Sequence, residues 1–391
     1  MLKSIKFPER KYIYNIINID INKRENYTKE KYLIDRKSYI KELGLIRKCG
    51  VDVKSSICDT SLNSTEIEAF KKYYNKESIN KKRYLAVFGT TLVVTKQESR
   101  IFIQSYFLNS ILIIQRYTNI RFVVFTDSQQ IIDECTSRNI KYSTEYKTNE
   151  FNVPILKSII NTLETNYESW FYGYLNGDIL LSLNIEDILI KVLNSIYKKE
   201  LKQEVILVST RSNVQDTFFY NKTITNNYNY VDLLNEAYEN SEYYIIRAID
   251  VFIATKYTLT NHLVDDAVIG RYFIDNYIMD NANFRSEFVE VIDVTPSILT
   301  IHISGNEQYK SDQIQSDLLY NSKYFATESE GYFCDILLSS YLMKETNHSY
   351  IFVPIHESYL WHKKYELKLL SCYQKYLIEN KCSISRTYND L

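Results

Sequence analysis

The sequence is poor in the residues that break or loosen a chain: 391 residues include only 8 Gly and 4 Pro. Collagen-like and Pro/Gly-rich disordered chains need far more of both. It also lacks an excess of one charge. With 47 Lys+Arg against 48 Asp+Glu the formal net charge is −1, unlike the basic surplus of a general nucleic-acid binder, so no nucleic-acid partner is expected. Long apolar runs are missing too. In the stretch 100–117 the longest aliphatic run is Ile111-Leu112-Ile113-Ile114, far short of the roughly 20 residues that cross a bilayer. The opening MLKSIKFPERKYIYNII has no apolar signal-peptide core. The six cysteines are dispersed with no Cys-x-x-Cys pair, which argues against a zinc ribbon. The expectation is a protein without a transmembrane segment, in the reducing cytoplasm, with free thiols.

What is present is apolar and aromatic bulk, 45% and 14% of residues, enough for one large domain with appendages or for two domains. The near-zero charge conceals a split. Residues 1–84 hold 20 Lys+Arg and 11 Asp+Glu, a net of +9; the remainder holds 27 and 37, a net of −10. Residues 1–83 read as a Lys-rich helical appendage, for which an anionic partner or a plain solvated face are the two readings.

From Tyr84 the rhythm changes. Apolar strands are expected at Tyr84–Phe88, Arg121–Phe125, Ile140–Ser143, Trp170–Leu175 and Val205–Ser209. Helices are expected at 98–117, Gln129–Arg138, Pro154–Asn166 and Ile185–Tyr197. Strands alternating with helices of 10–15 residues imply βαβ units and a mainly parallel sheet. Beyond Val251 the pattern predicts a strand at DVFIAT, one helix over 265–284, a strand at VEVIDVT and a mostly helical extension, 306–391.

Ligands of such sheets bind beyond the carboxyl ends of the strands, which directs attention to Gly89-Thr90-Thr91, Thr126-Asp127 and Asn176-Gly177-Asp178. In the last, an oxygen-bearing side chain two residues before a carboxylate can hold a hard cation, Mg²⁺ or Mn²⁺, directly or through water. Gly177 would let phosphates approach the backbone. Asn-Gly is equally a hairpin signal, so Tyr174–Leu180 could form a two-residue turn. Asp127 reads either as a ligand group or as a helix N-cap in its Thr-Asp-Ser setting.

The stretch from about Tyr84 to His302 resembles nucleotide-diphospho-sugar glycosyltransferases of the GT-A fold, and within them proteins with a YxNxDIL motif in place of D-x-D. The matching segments run in order: FNVPILKSIINTL; Tyr174-Leu175-Asn176-Gly177-Asp178-Ile179-Leu180; LVSTRSN, ending in Arg211-Ser212-Asn213; then Asp250-Val251-Phe252, Ile269-Gly270-Arg271, Asp275-Asn276, Ile292-Asp293-Val294-Thr295 and Ile301-His302. Tyr272-Phe273-Ile274 stands where the family commonly has Trp before Asp. The resemblance implies a GT-A (Rossmann-like) mainly parallel mixed sheet flanked by helices over 84–305, with helical N- and C-terminal appendages.

It also implies a metal-dependent glycosyltransferase moving sugar from a UDP- or GDP-sugar to a hydroxyl of a glycan, protein or small molecule. Asp178 would be the main metal ligand, Asn176 a second or water-mediated one, and His302 a late third. Thr90 and Thr91 would contact the nucleotide or simply form a strand-end turn, and Asp127 would accept from the base. Lys157 would reach a phosphate or stay solvated, and Arg211 would neutralise the diphosphate or pair with an acid near the sheet. Asp275 would be the acceptor-side base, or else one of several exposed acids on an amphipathic helix. Two other functions stay open: a degenerate binding or scaffold module, and a sugar nucleotidyltransferase. The second usually carries a Gly-rich basic loop after the first strand, where this chain has Gly89-Thr90-Thr91-Leu92.

Overall fold

The structure is a computed structural model that describes residues 84–354 apart from 244–247, 263–265, 285–287, 306–314, 325–335, 337–338 and 347–348. The expected appendage over 1–83, and the tail from 355 on, lie outside the described residues. The strands are β1 (Tyr84–Thr91), β2 (Ile120–Phe125), β3 (Lys141–Ser143), β4 (Ser169–Leu175), β5 (Ile179–Leu181), β6 (Glu204–Thr210), β7 (Ser212–Gln215), β8 (Glu242–Tyr243), β9 (Ile249–Thr255), β10 (Val289–Asp293), β11 (Thr300–Ser304), β12 (Tyr341–Thr346) and β13 (Ser349–Pro354). The main helices are α1 (Glu98–Tyr117), α2 (Gln129–Ser137), α3 (Leu156–Asn166), α4 (Ile185–Tyr197), α5 (Asn227–Glu239), α6 (Thr258–His262) and α7 (Ile274–Phe284).

Nine strands form the main sheet in the order β13-β12-β10-β6-β9-β4-β1-β2-β3. Only β9 and β13 run against the rest, antiparallel to the strands they pair with. This is the mixed, mainly parallel α/β fold expected from the sequence. Both faces of the sheet are covered, and so its strands read as continuous apolar runs. In β2, Phe122 and Val124 face one core, with Ile103, Phe107 and Ile111 of α1; Val123 and Phe125 face the other, with Ile159, Ile160 and Leu163 of α3. In β6 the split is Val205 and Leu207 against Ile206 and Val208. Fully burying each such side chain contributes about 1.5–3 kcal/mol.

The chain runs from β1 outward to β2 and β3, then returns to place β4 on the other side of β1. Such a reversal opens a crevice at the strands' carboxyl ends. A second sheet, β5-β11-β7-β8, lies at the exits of the main strands: β4 leads into β5, and β6 into β7. Asn176-Gly177 therefore does not close a hairpin, because β4 pairs with β1 and β9 while β5 pairs with β11. A Cβ on Gly177 would lie 2.6 Å from Leu92 Cδ2 and 2.9 Å from the Thr91 carbonyl oxygen. Glycine is there because the turn presses on the end of β1.

One expectation is corrected. The single helix expected over 265–284 shrinks to α7 because Gly270 (φ 65°) and Phe273 (φ 72°) are left-handed, a conformation that ends a right-handed helix. The segment before α7 bonds elsewhere: Leu156 N donates to Ala267 O and Ile269 N to Pro154 O, while the Asn321 side chain pairs both backbone groups of Val268. Within the extension expected over 306–391, the described residues include a short helix, Gln315–Leu318, together with β12 and β13, which pair antiparallel and widen the main sheet beside β10; the expected helical tail lies outside the described residues. Among the described residues no helix is long and apolar enough to cross a membrane.

Candidate functional site

Three strand ends meet because β9 is reversed. Its first residues lie opposite the last ones of both neighbours: Val251 pairs with Leu175 of β4 and with Ser209 of β6. Asn176, Arg211 and Asp250 thus emerge at one place. Asn176 Nδ2 donates to Asp250 Oδ1 at 2.9 Å, and Arg211 Nη1 lies 3.0 Å from Asp250 Oδ2. Asp275, in the first turn of α7, accepts from the backbone N–H of Ile249 (3.3 Å) and of Asn276 (2.9 Å). Burial and then the neighbouring Asp250 charge push its carboxyl up to about 7. The Asn176 amide is turned toward Asp250 rather than toward Asp178.

Asp178 opens the second half of the site. Its carbonyl accepts from Ile303 N at 2.9 Å, tying the turn to β11. That strand carries His302 directly opposite Ile179 of β5 and Asn213 of β7. His302 Nε2 stands 3.6 Å from Asp178 Oδ2, which also accepts from Arg100 Nη1 at 2.8 Å. Burial alone would raise the Asp178 pKa, but His302 and then Arg100 hold it well below the ordinary carboxylate range. Asp178 Oδ1 is buried and accepts no hydrogen bond.

The far side of His302 fixes its tautomer. Nδ1 lies 3.1 Å from Asn213 Oδ1 and 3.1 Å from Ser304 Oγ. Asn213 Oδ1 can only accept, so Nδ1 carries the proton. In its neutral form the ring then turns its Nε2 lone pair toward the Asp178 carboxylate. In its charged form the ring donates Nε2–H toward Asp178 and helps hold the carboxylate as an anion. Once that proton leaves, the Nε2 lone pair and the unsatisfied Asp178 Oδ1 are two donors that a cation could share. Among the described residues no three His, Cys, Asp or Glu side chains cluster as a complete metal cage. The donor set therefore suits a hard cation that takes one carboxylate and one imidazole from the protein and fills its other positions with phosphate oxygens and water.

Thr90 and Thr91 end β1 beside this turn. Thr91 Oγ1 is hydrogen-bonded to the Tyr174 hydroxyl at 2.8 Å, and Thr90 Oγ1 is buried without a partner. Asp127 is exposed beyond β2, where its charge contributes, after burial, to raising the Tyr146 hydroxyl. It does not cap α2, whose N-cap position is Ser128 with no side-chain cap bond. Lys157 sits half-buried in the first turn of α3. The contacts traced above form two groups, Asn176 and Arg211 on Asp250 with Asp275 beside them, and His302 with Arg100 on Asp178; neither passes through Asp127 or Lys157.

Three residues with no role assigned from sequence belong to this set: Arg100, Asn213 and Asp250. For Arg100 a signal existed, since a cation in a helix's first turn opposes the helix dipole and calls for a carboxylate partner. For Asp250 the signal was a charged residue next to the apolar run VFIA.

No family model matches the chain and no curated protein matches it. Solved structures overlap it in part. Glucosyl-3-phosphoglycerate synthase from Mycobacterium tuberculosis, in complex with Mn²⁺, UDP and glucosyl-3-phosphoglycerate, shares 9% identity over 74% of this chain and 91% of that one, with a TM-score of 0.34. TarS 1-349 of S. aureus with UDP-GlcNAc shares 15% over 66% and 70%, TM-score 0.33. HddC from Yersinia pseudotuberculosis shares 12% over 58% and 97%, TM-score 0.31. Overlaps of this size carry no inference about the chemistry of this chain.

Proposed function

We propose that this protein transfers a sugar from a nucleoside-diphosphate sugar to a hydroxyl acceptor, with a divalent cation bound at Asp178 and His302. The observation that carries the reading is the Asp178 carboxylate, with its unsatisfied Oδ1, standing 3.6 Å from His302 Nε2. It sits at the carboxyl ends of β1 and β4, where a sheet of this topology takes its ligand. A divalent ion there supplies positive charge to the oxygens of the leaving diphosphate.

The chain's own residues divide the remaining work. Asn213 holds the His302 ring in the tautomer that offers Nε2. Thr90 and Thr91 line the nucleotide side. Arg211 fixes Asp250. Burial, with the Asp250 charge added to it, keeps the Asp275 carboxyl near neutrality. A carboxylate so poised can take the acceptor hydroxyl's proton, which suits transfer with inversion.

Three features support this reading over the alternatives. Gly89 and Thr90 lie inside β1 instead of forming a glycine-rich phosphate loop, which disfavours a nucleotidyltransferase. The elevated Asp275 and the unbonded Asp178 oxygen are costly to keep in a scaffold with no reaction to run.

The test is slow hydrolysis of UDP- and GDP-sugars by the purified full chain with Mn²⁺. Turnover that disappears in Asp178→Ala supports the reading. Equal turnover in that variant sinks the metal assignment, and pyrophosphate release from a nucleoside triphosphate would point to the nucleotidyltransferase instead.

A further inference from the structure

Arg100 has no role in the scheme above, yet it occupies the centre of it. It stands in the first turn of α1, where the helix dipole repels a cation. Its side chain is only 17% exposed and reaches Asp178, itself 11% exposed, at 2.8 Å. A guanidinium can grip both oxygens of a carboxylate with its fork. Here its hydrogen bond goes to Oδ2 while Oδ1 is left without one.

We infer that Arg100 is an exchangeable counter-charge. Its guanidinium neutralises Asp178 while the cation is away, and passes to the donor diphosphate when the cation takes the carboxylate. This rests on the nucleotide-sugar reading for the identity of the anion. The argument is one of charge. A buried carboxylate is costly to leave uncompensated, so some cation must hold it in the resting protein. A divalent ion arriving between Asp178 and His302 meets a guanidinium already on Oδ2, and the two positive charges repel. The metal's position is fixed by its two ligands, whereas an arginine head rides on a long flexible stem. A diphosphate bound to the same ion brings both negative charge and the planar oxygen pairs that a guanidinium fork recognises. Arg100 therefore penalises metal binding alone and rewards metal with diphosphate, which makes the two cooperative. By linkage each must tighten the other by the same factor.

The test measures free Mn²⁺ by electron paramagnetic resonance with the full-length chain, with and without UDP or GDP. In Arg100→Gln, Mn²⁺ alone should bind about fivefold tighter or more, and its cooperativity with UDP or GDP should fall toward none. With Mn²⁺ saturating, the nucleotide should bind about tenfold more weakly. Unchanged or weaker Mn²⁺ affinity in a variant whose thermal melt remains cooperative overturns the inference. Arg100→Lys provides a second arm if the Gln variant does not fold. It keeps the charge without the fork, so Mn²⁺ affinity should stay within about twofold while nucleotide affinity falls; unchanged nucleotide affinity overturns the diphosphate role. Failure of the nucleotide-sugar reading has its own signature. The wild type would bind neither UDP nor GDP, while Arg100→Gln still gained Mn²⁺ affinity. That result upholds the resting role and overturns the transfer to diphosphate.

Discussion

The two acidic centres of the site treat the same side chain in opposite ways. Asp178 is flanked by His302 at 3.6 Å and Arg100 at 2.8 Å, which keep it an anion despite burial. Asp275 is half-buried beside another acid, Asp250, and the backbone donors around it do not offset the two effects, which leaves its carboxyl at about 7. One centre holds a negative charge ready for a cation; the other is poised to accept and release a proton near neutral pH. Environments that drive two carboxyl groups apart are how one site runs both tasks. The partition follows from topology. β4 exits toward the small sheet and its histidine, while the reversed β9 brings a second acid up beside α7.

The sharpest way to break this contrast is to neutralise the anionic centre. Asp178→Asn should abolish Mn²⁺-dependent turnover. It should also leave Arg100 a largely buried cation without its carboxylate, costing about 3 kcal/mol, at the low end for breaking a buried pair because both groups keep some exposure. Urea unfolding of the variant measures this, and a loss well under about 1 kcal/mol, the range of exposed pairs, would show that the ion pair is not held as described. Next in size is the proton-accepting centre. Asp275→Asn should lower kcat by about 10²–10⁴-fold while leaving nucleotide affinity in place. In the wild type, activity should climb as pH rises through about 7, where Asp275 loses its proton, and the variant's residual activity should lack that limb. A smaller change sharpens the link between the acids. Asp250→Asn removes the like charge, so the same limb should move to lower pH; a limb that stays put would assign it to another group.

How much of this is legible in the sequence depends on the range of the interaction. The main-sheet strands from β1 through β10 and helices such as Ile185–Tyr197 are local apolar patterns, and they stand where the pattern puts them. The Asp178 turn is visible because an apolar strand stops at Asn-Gly-Asp. The small sheet is not visible. Its strands are three to five residues long around the site, and β5 is recognisable as a strand only through β11, more than a hundred residues away. The pairing of β12 with β13 is not visible in the local pattern of the extension, although YLMKET and SYIFVP flank the polar pair Asn347-His348. The helical periodicity over 265–284 overreaches because it runs straight through Gly270 and Phe273, both of which turn left-handed. Asp250 and Arg100 join the site through partners 74 and 78 positions away, which their local signals do not identify.

The smallest expected effect concerns stability, and its sign separates the two centres once more. A carboxyl raised to about 7 in the folded protein and near about 3.9 when unfolded binds a proton more tightly in the native state. Between those two values the native chain carries more protons than the unfolded one, so stability falls as pH rises. Asp275 thus stabilises the fold least above pH 7, the reverse of Asp178, whose depressed pKa contributes stability that is lost only in acid. Asn at position 275 carries no charge to bury. Asp275→Asn should therefore match the wild type near pH 4 and gain on it toward pH 8. The gain should be on the order of 2 kcal/mol, since a tenfold change in proton affinity is worth about 1.4 kcal/mol and partial exposure screens some of the difference. Urea midpoints at the two pH values read the difference directly. A variant that is equally destabilised at both would mean that Asp275 serves the first turn of α7 as a hydrogen-bond acceptor and is not held near neutrality by burial and Asp250.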